Sequence, residues 1–153
     1  MVIMKRYVWI AAAVLALGVP ALSRGQPVYT QPPYVPKLAD IMELTQFRHI
    51  KLWYAGRQKN WTLANYELGR IKASFDDAMR FYPSLPTADM TTMAAPANAI
   101  GTAIEAKDVA KFATAFNQLT AACNACHTSQ GVGFLVIKVP NLSPFSNESF
   151  PPK

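Results

Sequence analysis

Residues 112–127 read FATAFNQLTAACNACH, and this stretch holds both cysteines and one of the two histidines of the 153-residue chain. Its apolar residues recur every three or four positions, at Phe112, Phe116, Leu119, Cys123 and Cys126. This spacing is typical of one face of an α-helix. Asp108 precedes the pattern as a good N-cap, and Gly131 follows it as a C-terminal signal. The stretch therefore predicts an amphipathic helix that ends in a Cys-x-x-Cys-His sequence.

Two further helical patterns precede this stretch in the chain. The first runs from about Leu38 to Ala55, with Gly56 as its expected stop. The second begins at the N-cap Asn60 and ends before Pro83. Their apolar faces consist of Leu38, Ile41, Met42, Thr45, His49, Leu52 and Trp53 in the first, and Ala64, Leu68, Ile71, Phe75, Met79 and Tyr82 in the second.

A third, weaker pattern lies between these two and the cysteine-containing helix. Its apolar face consists of Met93, Ala97, Ile100 and Ile104. Pro96 requires this helix to start near Thr92 or to kink. Four amphipathic helices with short links predict an all-α fold, arranged as an antiparallel four-helix bundle over residues 38–127. We expect the aromatic residues Phe47, Trp53, Trp61, Tyr66, Phe112 and Phe116 to lie in the core or along a cofactor.

The segments on either side of the helical region differ from it in composition. Residues 26–37 hold four prolines and should be extended. Residues 128–153 form a C-terminal extension, in which the apolar run 131–140 (GVGFLVIKVP) is expected to be a strand or an extended packing segment. The remainder of the extension, with several prolines, is expected to be irregular.

Residues 1–25 have the order of features of a secretory signal peptide. Lys5 and Arg6 precede the uncharged apolar run 7–19, and Pro20 and small residues follow it. The run is shorter than the roughly 20 residues that a bilayer crossing needs. The sequence therefore predicts export to a bacterial periplasm, cleavage within residues 23–26 and no stable membrane span afterwards; an uncleaved anchor is the alternative.

The charge of the chain is modest once this segment is removed. Cleavage removes three of the 15 cations, Lys5, Arg6 and Arg24. The remaining 12 cations and nine anions give a net charge of +3. No long basic run or aromatic-basic repeat is present, so we expect no nucleic-acid partner. Four cations, Arg48, Lys51, Arg57 and Lys59, are close in sequence. They are interpreted as a solvated face, or alternatively as a docking patch for an acidic redox partner or for haem propionates.

The sequence Cys123-Asn124-Ala125-Cys126-His127 is the attachment signature of a c-type haem. On a helix, residues three positions apart share a side, so both sulfurs can reach the two vinyl groups of one porphyrin edge. His127 can then bind the iron as the proximal ligand. The alternatives are a disulfide or redox dithiol, which normally occurs near a βαβ pattern, and a zinc site completed by His49.

The helical pattern with its haem motif on the last helix resembles the class II cytochromes c, that is, cytochrome c′ and its low-spin relatives. The similar stretches are IMELTQFRHIKLWYAG (Ile41 to Gly56) and FATAFNQLTAACNACH (Phe112 to His127). The resemblance implies a haem within the bundle, with the first helix on the distal side of the iron. It also implies that Met42 matches the sixth ligand of low-spin members, that high-spin members leave this site open, and that a homodimer is an expected assembly.

Three candidates therefore remain for the sixth coordination position: Met42, His49 and an open site. Met42 and His49 share a helix face but lie about 10 Å apart along the axis, so both cannot bind one iron. The chain departs from the class in its long extension, in the uncharged turn after the motif, and in His49 itself. We predict a non-enzymatic monohaem electron-transfer cytochrome; the alternatives are a protein that binds nitric oxide or carbon monoxide and an accessory subunit stabilised by its haem.

Overall fold

A computed structural model describes residues 33–153, without the side chains of residues 87–90. The predicted signal peptide and most of the predicted proline-rich segment lie outside the described residues. Within them the chain forms four α-helices: α1 (Leu38–Arg57), α2 (Trp61–Phe81), α3 (Thr87–Glu105) and α4 (Val109–Ser129). No strand occurs in this part of the chain, so the all-α prediction is confirmed. The run 131–140 begins with turns at 131 and 133–134, and the strand predicted as one of its two alternatives does not form.

The two predicted N-caps and the glycine after α4 act as expected. The Asn60 side chain accepts a hydrogen bond from the backbone N–H of Leu63 at 3.2 Å. The Asp108 carboxylate accepts from the backbone N–H groups of Ala110 and Lys111 at 3.0 and 2.9 Å. Both side chains satisfy N–H groups that have no partner within their helix. Gly131, with φ of 74°, follows the end of α4 in the left-handed conformation that glycine adopts readily.

Two helix boundaries differ from the prediction. Helix α1 continues past Gly56 to Arg57, because Gly56 serves close packing and not termination. A Cβ built at Gly56 would overlap the ring of Phe112 on α4. Helix α3 begins at Thr87, not near Thr92, and contains Pro96 in its interior. Burial of its apolar face stabilises a helix that the proline alone would interrupt.

The four helices share one apolar core. Contacts join α1 to α2, α2 to α3, α3 to α4, and α1 to α4. The largest fully buried side chains are Leu52, Ile71, Ile100, Phe112, Phe116 and Leu119. Phe47 and Tyr66 are exposed, so their predicted place in the core was wrong. Both lie next to the apolar face of their helices in sequence, at positions that turn them outward.

The C-terminal extension packs against α1 and the start of α2. Phe150 is buried, and its ring lies 5.4 Å from that of Tyr54. Lys51 and Glu148 form an ion pair of 2.8 Å, and the Asn60 amide donates to the Pro151 carbonyl at 3.3 Å. These contacts fasten the extension at its far end. None of the helices in the described part of the chain combines the length and hydropathy that a bilayer crossing requires.

Candidate cofactor site

A cavity of about 650 Å³ lies between α1, the end of α4 and the segment 132–137. This volume is within the range of small-molecule and cofactor sites, which are concave and mostly apolar. The cavity brings together all five residues that the sequence selected: Met42, His49, Cys123, Cys126 and His127. Most of the rest of its wall is apolar, and includes Leu38, Ile71, Phe75, Leu85, Met93 and Leu119.

The two cysteines lie on the last turns of α4 and are not joined in a disulfide. Burial raises the pKa of the Cys123 thiol to about 11, and the neighbouring Cys126 thiol adds to the shift. Cys123 is therefore protonated at neutral pH. Reactive Cys-x-x-Cys motifs have the opposite property, because they lower the thiol pKa to expose a thiolate. The buried Cys123 thiol therefore does not show the lowered pKa of such motifs.

The imidazole of His127 is oriented by a backbone carbonyl. Its Nδ1 atom lies 2.6 Å from the carbonyl oxygen of Leu135. Because a carbonyl can only accept, Nδ1 carries the hydrogen and Nε2 keeps its lone pair. Histidines that bind metals almost always donate their other N–H in this way, which fixes the tautomer and strengthens the ligand. His127 is therefore prepared to bind a metal through Nε2.

The segment 132–137 that supplies this carbonyl forms one wall of the cavity. Phe134, Leu135 and Val136 line the cavity, yet their side chains are 79%, 49% and 61% exposed. Three neighbouring apolar side chains with this much exposure indicate a surface that contacts a further molecule or cofactor. From its sequence this segment is expected to be a strand or an extended packing segment, with no place in the site. The signal was present in the apolar run VGFLVI, five residues after His127.

His49 is 3% exposed and is held on the wall of the cavity by α4. Its Nε2 atom lies 2.8 Å from Oγ1 of Thr120, and the same hydroxyl donates to the Phe116 carbonyl at 3.0 Å. Since the hydroxyl hydrogen is used there, His49 Nε2 donates and Nδ1 keeps the lone pair. That Nδ1 atom is buried without a hydrogen-bond partner in the described part of the protein. Burial lowers the pKa of His49 to about 4, so the ring is neutral at pH 7.

Four residues were weighed as a zinc site on sequence grounds: Cys123, Cys126, His127 and His49. Among the residues from 33 onward, no three histidine, cysteine, aspartate or glutamate side chains are grouped so that they could hold a metal ion. A tetrahedral zinc site needs four such ligands around one point. A porphyrin would instead need one imidazole for the iron and two thiols at its edge, and His127, Cys123 and Cys126 all line the cavity.

Two of the four cations that are close in sequence, Arg48 and Lys51, bond to other residues of the protein. The Arg48 guanidinium donates to the Arg70 carbonyl and to the Ser74 hydroxyl. Lys51 pairs with Glu148. Arg48 and Lys51 lie with Arg70 around a separate shallow cleft, and neither lines the large cavity. Their predicted role as partners for haem propionates therefore finds no support in the cavity wall.

The chain was compared with known proteins. No family model matches it, and none of the curated proteins or solved structures compared with it gives a significant match. The resemblance to class II cytochromes c therefore stays a prediction from the two quoted stretches of sequence.

Proposed function

We propose that the chain is a periplasmic monohaem c-type cytochrome that transfers electrons to a redox partner protein. One observation carries the proposal: both thiols of the Cys-x-x-Cys-His sequence and a carbonyl-oriented His127 converge on one apolar cavity. In this proposal Cys123 and Cys126 each add S–H across a vinyl double bond, which gives a thioether and consumes no oxidant. His127 binds the iron through Nε2.

The haem supplies reversible one-electron chemistry when it is bound. The protein residues set its orientation and environment. The Leu135 carbonyl keeps the His127 ring in one tautomer. Phe75, Leu119 and the apolar segment 132–137 line the cavity and would limit the access of water to a bound haem; a drier surrounding is one of the factors that set a haem potential.

For the sixth position we favour Met42. It is half-buried, lines the cavity and carries no competing strong hydrogen bond because its thioether sulfur is only a weak acceptor. His49 is the alternative: its Nε2 is already bonded to Thr120, whereas its Nδ1 keeps a lone pair that could bind a metal. To bind iron through Nε2 it would have to break that buried hydrogen bond and change tautomer. A methionine ligand raises the haem potential, as is usual in electron carriers.

We also infer that the helices form an antiparallel four-helix bundle. The links are short, spanning residues 58–60, 82–86 and 106–108, and short links favour antiparallel neighbours. Contacts between α1 and α4 as well as between consecutive helices are consistent with a closed arrangement. A c-type haem would then lie at the end of the bundle where α1 begins and α4 ends.

Mass spectrometry of the chain exported from a bacterium that attaches c-type haems tests the proposal. We expect the mass of one haem added to the processed chain and a low-spin absorption spectrum. The double variant Cys123→Ser/Cys126→Ser should carry no covalent haem, whereas a Ser129→Ala variant on the next turn should be unchanged. A wild-type chain without added haem, or with its two thiols joined, would refute the proposal. Five-coordinate high-spin iron would instead favour gas binding.

A further inference from the structure

We propose that Asn124, the residue directly after Cys123, is a positioning residue that fixes the axial His127 through the C-terminal extension. The inference rests on the proposed function. It gives a role to Asn124, one of the two positions of the Cys-x-x-Cys-His motif that take no part in haem attachment. It also explains why the extension passes back over the end of α4.

The contact between Asn124 and the extension is a two-point hydrogen bond. The Asn124 Nδ2 donates to the Ile137 carbonyl at 2.8 Å, and its Oδ1 accepts from the Ile137 N–H at 2.8 Å. One side chain thus satisfies both backbone groups of one residue, as a neighbouring strand would in a sheet. Because two parallel bonds constrain orientation as well as distance, Ile137 is fixed relative to α4.

Backbone hydrogen bonds also hold this segment at its N-terminal end. The Val132 N–H donates to the His127 carbonyl at 2.8 Å, and the Leu135 N–H donates to the Val132 carbonyl at 2.9 Å. The Leu135 carbonyl, which accepts from His127, therefore lies in a short loop held at Val132 and at Ile137. Side-chain packing contributes little, since Phe134, Leu135 and Val136 are all exposed. Without Asn124, the hydrogen bonds that hold this loop to α4 would remain at its Val132 end, and the next contact with the helices is the packing of Val139 on the core.

The carbonyl affects the iron through the imidazole. An N–H that donates to a carbonyl makes the imidazole a stronger electron donor, which stabilises the more oxidised iron and lowers the potential. Loss of Asn124 should weaken this bond and raise the midpoint potential. A residue that only stabilised the fold would lower the melting temperature and leave the potential unchanged.

The test is a redox titration of the haem-loaded Asn124→Ala variant. We expect a higher midpoint potential than wild type and exchange of the His127 Nδ1 proton with solvent that is about tenfold faster or more, measured by NMR. The matched control is Asn117→Ala on the same helix, whose exposed amide donates only to the Ala113 carbonyl at 2.9 Å. This control should keep both the potential and the exchange rate of wild type.

A second variant covers the case in which Asn124→Ala does not acquire haem. Asn124→Ser keeps a neutral hydroxyl that is too short to bond both the N–H and the carbonyl of Ile137, and we expect a shift in the same direction. An unchanged potential in whichever variant matures overturns the inference while leaving the proposed function intact. A wild-type chain that carries no haem refutes both, and mass spectrometry separates that outcome from the first.

Discussion

The Nε2 atom of His49 on α1 lies 2.8 Å from the Thr120 hydroxyl on α4, in a fully buried position. The hydroxyl donates its hydrogen bond to the Phe116 carbonyl, so it can only accept one from the histidine. The ring of Phe116 lies 4.3 Å from the His49 ring. This pair joins two helices through a polar contact inside an apolar core, where an unsatisfied donor costs far more than on the surface.

Replacement of Thr120 by valine should therefore destabilise the protein by about 1–3 kcal/mol, since the buried His49 N–H loses its acceptor. Urea unfolding of the mature protein measures the change. Thr114→Val is the matched control, because Thr114 makes the same type of bond to the Ala110 carbonyl on the exposed side of α4. It should change stability by about 0.5 kcal/mol or less. Equal effects of both substitutions would disprove a special role for the buried pair.

Burial of a neutral His49 predicts a pH dependence of stability. Its pKa is about 4 in the folded protein against an ordinary value of 6.5, so the unfolded state binds the proton first as pH falls. The free energy of unfolding should fall between about pH 6.5 and 4, by about 3 kcal/mol in total. Above pH 6.5 this contribution is constant.

The His49→Gln variant isolates this effect, because glutamine does not titrate. Burial raises the pKa of the Glu67 carboxyl, which gives a slope of the opposite sign at acidic pH in both proteins. The difference between wild type and variant removes that contribution. Between pH 6.5 and 4 the free energy of unfolding of wild type should fall by about 3 kcal/mol relative to that of the variant. A difference between the two proteins that does not change with pH would show that His49 does not titrate as its burial requires.

The sixth ligand is tested by spectroscopy. Met42→Ala should lose the methionine-to-iron charge-transfer band, lower the potential and open the iron to carbon monoxide, because a thioether ligand both raises the potential and fills the site. Met79→Ala is the control, since Met79 is exposed on α2. His49→Ala should keep the band. Loss of the band in His49→Ala, with its retention in Met42→Ala, would assign the site differently.

Sequence periodicity predicted most of the helical architecture. The apolar faces of α1, α2 and α4, together with the caps Asn60 and Asp108, follow from local patterns with a direct physical cause. The five candidate site residues also line one cavity. The helical faces and caps depend on short-range geometry, which sequence spacing contains, whereas the shared cavity depends on the packing of α1 against α4.

The rest depends on contacts between segments that are distant in sequence. That Gly56 faces Phe112, 56 residues later, is not visible from a glycine at the end of a helical pattern. The bond from His127 to the Leu135 carbonyl involves a backbone group, and any residue at 135 supplies one. Thr120, which bonds to the His49 ring, is one of several threonines on α4, and nothing in the neighbouring sequence distinguishes it from the others. Tertiary packing selects each of these pairs.

The far end of the extension provides another test of packing. Phe150 is 5% exposed and contacts Tyr54, so Phe150→Ala should destabilise the protein by about 3 kcal/mol and expose the last residues to proteolysis. Leu142→Ala, at a side chain that is 80% exposed, should have almost no effect. Lys51→Ala removes only a partly exposed ion pair and should cost less than about 1 kcal/mol. Similar proteolysis of the Phe150 and Leu142 variants would argue against this anchoring.

Two glycine-to-alanine substitutions should have effects of opposite sign. At Gly56 an added Cβ overlaps the ring of Phe112, which is fully buried and has no space to move, so α1 and α4 must separate locally. Such overpacking typically costs about 1–3 kcal/mol. At Gly69, within α2, no atom lies within 4 Å of the added Cβ. Alanine there should stabilise the protein by about 0.5–1 kcal/mol, because it restricts the unfolded chain and favours the helix. Thermal unfolding of both variants measures the pair, and a stabilised Gly56→Ala protein would show that α1 and α4 are not in close contact at this point.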